Sequence, residues 1–137
     1  MASSPREALD QLRRDARSGE LAAFCRDAGI DLLVAFGSAT VPDWPVPPGD
    51  LDLAVRLTGE RNLLQVLDAL VTHLHFERID LMDLVRADEV ARAQALRRGE
   101  LLHERTDGTF AEQQILALVQ HADTSWLREA QLQALTR

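Results

Sequence analysis

The 137-residue sequence has no tyrosine and no lysine, and it contains a single cysteine, Cys25. One cysteine excludes a framework of disulfide bonds within the chain, and we expect Cys25 to be a buried free thiol. The sequence also lacks an uncharged apolar run of membrane-spanning length, and residues 1–7 lack the apolar centre of a signal peptide. These absences predict a cytoplasmic protein that does not insert into membranes.

Positive charge is scarce in the chain and comes from arginine alone. Its 15 arginines are outnumbered by acidic residues, and the net charge is −7. Nonspecific binding of nucleic acid depends on neutralising phosphates with cations, so this balance disfavours nucleic acid as a partner. From the length we expect residues 1–137 to form one domain, with a helical C-terminal segment over about 109–137.

Hydrophobic periodicity and capping residues predict a succession of helices and strands. Ser4 and Pro5 begin a first helix, and Gly29 ends a second one that starts around residues 18–21. The remaining elements are expected in this order: a strand over 31–36, a strand over 50–57, a helix opened by Thr58 and Gly59, a strand that carries Asp80, a helix over 88–97, a strand over 100–103, and a helix from a capping box at Thr109, in which residues 123–125 favour a break. This order predicts an α/β (α+β) fold, a small mixed β-sheet with flanking helices.

The most informative motif is the turn Gly37-Ser38, followed after eleven residues by Asp50-Leu51-Asp52. Glycine lets the backbone approach a phosphate closely, and the serine hydroxyl adds a polar group. Because side chains alternate along a strand, Asp50 and Asp52 project from the same face, about 7 Å apart. The residues that face the opposite way are apolar: Leu51, Leu53 and Val55. An acidic pair alone is more typical of a solvated edge strand, but the preceding Gly-Ser turn favours a site for magnesium and phosphate.

A third carboxylate is expected from the segment 76–84, which offers Asp80 and Asp83. Ile79 and Leu81 are apolar, so Asp80 lies on the opposite face of its strand. Asp83, three residues later, should point away from Asp80. We therefore predict Asp80 as the third ligand and Asp83 as a cap or surface residue, although Asp80 taken alone is equally typical of an ordinary surface carboxylate.

These motifs resemble the minimal nucleotidyltransferase (MNT) domain of the polymerase-β-like superfamily, and within it the MntA-type antitoxins that pair with HEPN-domain HepT toxins. The similarity extends to residues 79–87, 96–105 and 122–128, and so covers nearly the whole chain. It implies a nucleotidyltransferase that uses ATP and two Mg²⁺ ions. The implied catalytic and metal-binding residues are Asp50, Asp52 and Asp80, and the implied nucleotide-binding residues are Gly37 and Ser38.

The resemblance also implies the acceptor, because antitoxins of this type transfer AMP to a tyrosine hydroxyl of the partner toxin. The implied function is transfer of AMP from ATP to a tyrosine of a cognate HEPN toxin, which neutralises the toxin. Since this chain has no tyrosine, such an acceptor must lie on another chain. Two alternatives stay open: a catalytically weak MNT module that neutralises its partner by binding, and a small-molecule nucleotidyltransferase that modifies an antibiotic hydroxyl.

One segment departs from the family pattern, in which an arginine is the third residue after the serine of the turn. Val41 holds that position, and residues 39–49 contain no basic residue but four of the five prolines. Proline resists helix continuation, so any helix after Ser38 must be short. The departure predicts a weaker grip on the triphosphate unless an arginine elsewhere substitutes, with Arg56 as the first candidate.

Several other polar and aromatic residues have structural explanations. The histidines of residues 73–75 are predicted to be surface residues, because no cysteine or third histidine lies near them. Arg97 and Arg98 are interpreted as partners of a helix dipole rather than as phosphate ligands. Trp44 either stacks on a nucleobase or covers a small core, and Trp126 either packs on the core or faces a partner.

Overall fold

The computed structural model describes residues 2–135, and within 123–128 it describes the backbone alone. Helices and strands follow one another in this order: α1 (Pro5–Ser18), α2 (Glu20–Ala28), β1 (Ile30–Phe36), a short 3₁₀ helix (Ser38–Thr40), β2 (Leu51–Leu57), α3 (Leu63–Leu74), β3 (Ile79–Asp83), α4 (Glu89–Arg97), β4 (Glu100–Glu104) and α5 (Thr109–Leu135). The predicted α/β fold is confirmed. The alternatives for Trp126 concern a side chain outside the described part of the chain.

The four strands form one mixed sheet in the order β3-β2-β1-β4. Strand β1 lies antiparallel to both β2 and β4, whereas β2 and β3 are parallel and are joined by α3. The limits of β1, β2 and β4 each differ from the predicted ones by a single residue. The parallel pair places Asp52 of β2 directly opposite Asp80 of β3.

Each face of the sheet packs against its own set of helices. The larger core lies between the sheet and α1, α2 and α3, and it contains the alternate residues of β2 that were predicted to face inward: Leu51, Leu53 and Val55. A smaller core on the other face joins Leu32, Val34 and Ala54 to Leu96 of α4 and Ala117 of α5. The alternation along β2 therefore directs Asp52 to the face that carries α4 and α5.

The first two helices begin and end where the capping residues predict. The Ser4 hydroxyl accepts a hydrogen bond from the backbone N–H of Glu7 at 3.2 Å, and Pro5 is the first helical residue of α1. Gly29 ends α2 with a φ of 78°, a left-handed conformation that glycine adopts without strain. These local signals are sufficient because the groups that cap each helix lie within a few residues of it.

The prediction that α3 opens at 58–59 is wrong. The helix begins at Leu63, because the Asn62 side chain caps it by accepting a hydrogen bond from the second helical N–H at 2.8 Å. The Thr58 hydroxyl lies 3.2 Å from the carbonyl oxygen of Gly29, to which it donates a hydrogen bond. Thr58 thus joins β2 to the end of α2 instead of capping a helix.

Helix α5 also differs from its prediction at both the start and the middle. Its capping group is Glu104, whose carboxylate accepts hydrogen bonds from the N–H groups of Gly108 at 3.1 Å and Phe110 at 2.9 Å, and these bonds lower the pKa of Glu104. Thr109 is therefore the first helical residue rather than the cap. The helix continues through 123–125, since that segment has no proline or glycine and its helix-propensity cost is small.

His73 is not a surface histidine, contrary to the prediction, whereas His75 is exposed. The Nε2 atom of His73 lies 2.8 Å from Oδ2 of Asp15, and its ring centre lies 4.5 Å from that of Phe24. Asp15 is itself buried, and His73 supplies the partner that a buried carboxylate needs. This pair ties α3 to α1. None of the described helices combines the length and the hydropathy that a transmembrane span requires.

Candidate functional site

The predicted site residues meet where β1 ends and where β2 and β3 begin. Because β1 and β2 are antiparallel, Phe36 at the end of β1 lies opposite Asp52. Because β2 and β3 are parallel, Asp80 lies opposite Asp52 on the other side. The turn Gly37-Ser38 follows Phe36 directly. Three segments distant in sequence are thus joined by strand pairing alone.

The three carboxylates differ in their exposure. Asp50, just before β2, and Asp80 are exposed, whereas Asp52 is partly buried. Burial raises the pKa of Asp52, and the negative charges of Asp80 and Asp50 raise it further. The carboxylates therefore lie near enough to repel one another. A cation between them would relieve this repulsion.

A divalent cation fits the chemistry of this group, because Mg²⁺ prefers hard oxygen ligands and is held by one or two carboxylates together with substrate phosphates. However, among the side chains that the structure describes, no three acidic, histidine or cysteine residues are already arranged as a metal site. The use of the three carboxylates as metal ligands stays a prediction.

Gly37 is required by its backbone conformation and by a close neighbour. Its φ is 79°, in the region that favours glycine, and a Cβ atom there would overlap the carboxylate of Asp52. Glycine thus lets the turn pack directly against the acidic residue. Ser38 begins the 3₁₀ helix, in which the Thr40 hydroxyl donates to the Gly37 carbonyl at 2.7 Å. This helix has three residues, so the prediction of a short helix after Ser38 is confirmed.

Asp83, the carboxylate excluded by the sequence argument, does act as a cap. Its Oδ1 accepts a hydrogen bond from the N–H of Val85 at 2.9 Å, and its carbonyl accepts one from Ala87 at 2.9 Å. These bonds close the turn between β3 and α4. Asp83 thus has a structural role as a cap. Among the hydrogen bonds described, none involves the side chain of Asp80.

A cavity of about 350 Å³ opens beside the Gly37-Ser38 turn. Its walls are mainly apolar and include Phe36, Val41, Trp44, Met82 and Ala91, while Gln94 and Arg98 of the α4 end add polar groups. Trp44 is 49% exposed, so it does not cover a buried core. Trp44 lies on the cavity wall, and its stacking on a nucleobase stays a prediction.

Arg56, the arginine that the sequence suggested as a phosphate ligand, does not lie near the site. Arg56 lies on the same face of β2 as Asp52 but four residues along, about 13 Å away, and lines a different cavity beside Leu84. Arg6 of α1 instead reaches the loop after the turn, where its Nη2 donates to the Val41 carbonyl at 3.1 Å. No local pattern marks Arg6, because 35 residues separate the two partners.

Comparison with known proteins gives matches among solved structures. A toxin–antitoxin structure with AMP-PNP has a TM-score of 0.68 at 19% identity, covering 87% of this chain and 98% of that one. The MntA–HepT toxin–antitoxin structure has a TM-score of 0.63 at 18% identity, covering 87% and 96%. A complex of the tri-AMPylated Shewanella oneidensis HEPN toxin with its MNT antitoxin has a TM-score of 0.64 at 19% identity, covering 87% and 95%. Neither a protein-family model nor a curated protein sequence matches the chain.

The sequence identities are below 20%, but each match covers nearly the whole chain of the solved structure, so the two chains share a fold. The chain therefore has the fold of the MNT antitoxins, which confirms the fold that the Gly-Ser and Asp-x-Asp motifs indicated. Activity is a separate question, because one fold supports many chemistries and function depends on the residues of the site.

Proposed function

We propose that this protein is an antitoxin-type nucleotidyltransferase that transfers AMP from ATP to a tyrosine hydroxyl of a separate HEPN-type toxin. The observation that carries the proposal is the strand register. It sets Asp52 opposite Asp80 and beside the Gly37-Ser38 turn, within a fold whose solved examples include a complex with AMP-PNP and a complex with an AMPylated HEPN toxin.

The proposed reaction forms one bond and breaks another at the α-phosphorus of ATP. The tyrosine oxygen bonds to that phosphorus, the bond to the bridging oxygen breaks, and pyrophosphate leaves. Gly37 and Ser38 bind the phosphate chain through the backbone and the hydroxyl. Asp80, exposed at the edge of the sheet, orients the acceptor hydroxyl and takes up its proton.

The carboxylates of Asp50, Asp52 and Asp80 would hold Mg²⁺. When bound, the cations supply charge neutralisation to the phosphates during the displacement. Asp52 is suited to be the central ligand, since its raised pKa reflects burial and two neighbouring negative charges that a cation would balance. The exposed side chains of Asp50 and Asp80 can then change conformation when the substrate binds.

The absence of tyrosine from the sequence supports an acceptor on another protein. We therefore infer a HEPN-type partner, and intact mass spectrometry of the co-expressed pair tests this directly. The expected result is one or more added AMP units on the partner, and none when Asp52 is replaced by asparagine. A partner that copurifies with the wild-type chain but is never modified would overturn AMP transfer.

A second candidate function is neutralisation of the partner by contact alone. It is favoured by one observation, the lack of any basic residue in the loop 39–49 beside the proposed phosphate site. A cell-protection assay with the Asp52→Asn chain, run beside the mass spectrometry, separates the two candidates. Contact alone predicts that the Asp52→Asn chain still protects cells from the toxin, whereas AMP transfer predicts that protection is lost.

A further inference from the structure

Arg98 is the charged residue of the cavity beside the Gly37-Ser38 turn. Among the described residues that line this cavity, no other side chain carries a charge. The cavity also touches Gly37 and Ser38 themselves, so a phosphate chain bound at the turn would lie within the same enclosure. Its other walls are apolar or neutral, and they offer an anion no competing cation.

The position of Arg98 is fixed by strand pairing. In the antiparallel pair of β1 and β4, Ala35 lies opposite Glu100. Gly37 follows Ala35 by two residues and Arg98 precedes Glu100 by two residues, so both flank the paired end of the two strands. This relation follows from the sheet register and does not depend on the conformation of the flexible arginine side chain.

The turn between α4 and β4 holds this arrangement tightly. A Cβ atom on Gly99 would lie 2.5 Å from Cγ1 of Val34 and 2.6 Å from the carbonyl oxygen of Ala95. Both distances are too short for a real side chain, so glycine allows α4 to end directly against β1. Arg98, the residue before it, is thereby held over the end of β1.

Unlike Arg92 and Arg13, Arg98 has no side-chain partner among the described residues, and unlike Arg97 it lines the cavity. Arg92 of α4 donates hydrogen bonds to the carbonyls of Leu84 and Ala87, and Arg13 pairs with Glu100. Within the part of the chain whose side chains are described, no carboxylate forms an ion pair with Arg98. Its guanidinium is exposed and available to a ligand.

We propose that Arg98 binds the phosphate chain of the nucleotide and supplies, from the end of α4, the positive charge that the loop 39–49 lacks. A guanidinium can donate two parallel hydrogen bonds to a phosphate, which makes it well suited to this role. The inference rests on the proposed function, and it adds a nucleotide-binding residue outside the Gly-Ser turn. It also replaces the interpretation of Arg98 as a partner of the helix dipole.

The test measures the affinity of the full chain for ATP and for adenosine, with magnesium present, by calorimetry. Arg98→Gln should weaken ATP binding by at least about tenfold, because a charge-assisted hydrogen bond is lost, and should leave adenosine binding unchanged. Arg97→Gln is the matched control, since Arg97 is an exposed arginine of the same helix end outside the described cavity lining. It should change ATP affinity by no more than about twofold.

Two further measurements separate the outcomes. Thermal unfolding should give the same midpoint for both glutamine variants, and Arg98→Lys should recover part of the ATP affinity because it restores the charge without the paired donors. If the wild-type chain binds ATP but Arg98→Gln binds it equally well, or if Arg97→Gln loses as much, the role of Arg98 is overturned. An equal loss of adenosine affinity would also overturn it. If the wild-type chain binds no ATP, the proposed function fails and the inference fails with it.

Discussion

The two faces of the sheet use the same strands for different purposes. On the face that packs against α1, α2 and α3, the core covers β2 from its first residue, and Leu51, Leu53 and Val55 are fully buried. On the other face the core covers Ala54 but ends before Asp52, which is only partly buried. The candidate site therefore lies where coverage of the sheet by α4 and α5 stops.

This difference explains how a small protein can hold charged groups in fixed positions. The closed face determines the register, because a shift by one residue would bury the acidic side chains of β2 and expose its leucines. The open face is then free to present carboxylates that repel one another. Consecutive residues of one strand should consequently respond to substitution in opposite ways.

Substitution of Asp52, on the open face, should have the largest effect. Asp52→Asn should lower AMP transfer by at least about 100-fold, because loss of a charged ligand removes several kcal/mol of transition-state stabilisation. The free energy of unfolding without metal should stay unchanged or rise, because the amide removes a charge that burial and Asp80 disfavour. Transfer assays and urea unfolding measure the two effects. Retained activity, or a loss that tracks unfolding, would contradict this assignment.

Substitution of Leu53, the next residue on the closed face, should reverse the pattern. Leu53→Ala leaves a cavity in a fully buried site and should lower the free energy of unfolding by about 2–5 kcal/mol. Magnesium-dependent ATP binding at low temperature should persist, because the acidic face is unaltered. Leu101→Ala is the control: this exposed residue of β4 should alter stability by no more than about 0.5 kcal/mol. Equal losses in the two variants would disprove the contrast between covered and open surfaces.

The loop beside the open site offers a gain of function. Val41 lines the cavity at the turn, and Val41→Arg should add a charge-assisted contact to phosphate worth roughly 1.5–3 kcal/mol. A contact made more strongly in the transition state raises kcat, whereas an equal contact to bound ATP lowers only KM. Steady-state kinetics of AMP transfer distinguish these cases.

The matched control for that gain is Val46→Arg. Val46 is also an exposed valine of the same loop, and it lies outside the described lining of the cavity. An equal gain in both variants would indicate a general effect of charge, and no gain in Val41→Arg would mean that the phosphates do not pass near Val41.

The smallest effect is expected on the closed face, at Cys25. Its side chain is fully buried, and burial raises its pKa to about 12, although it borders a cavity of about 410 Å³. The thiol should therefore react with a thiol reagent at about pH 8 only as fast as the protein unfolds, and rapidly in denaturant. The raised pKa favours the neutral thiol in the folded state. The neutral thiol contributes fully to folding stability below the unfolded pKa near 8.5. This contribution is lost as the pH rises toward 12. Fast reaction of the folded chain would show that the cavity admits solvent.

Features that depend on nearby residues could be predicted from the sequence. The placement of Asp52 on the face opposite Leu51 and Leu53, the need for glycine at position 37 and the caps at Ser4 and Gly29 all follow from alternation or from bonds within a few residues. Errors arose where a distant group intervened. Glu104 caps α5 from the end of β4, and Asp15 pairs with a partly buried His73 across the contact between α1 and α3.

The sequence by itself determined the acidic pair, the Gly37-Ser38 turn and the register of β2, because each depends on alternation along a strand or on the conformational freedom of one residue. Only the tertiary structure decided that Asp80 faces Asp52, that Arg98 shares a cavity with Gly37 and that Arg56 lies elsewhere. These relations depend on strand order and on pairing between segments tens of residues apart. Local spacing contains no information about such pairing, since the same strands could be joined in another order with their patterns unchanged.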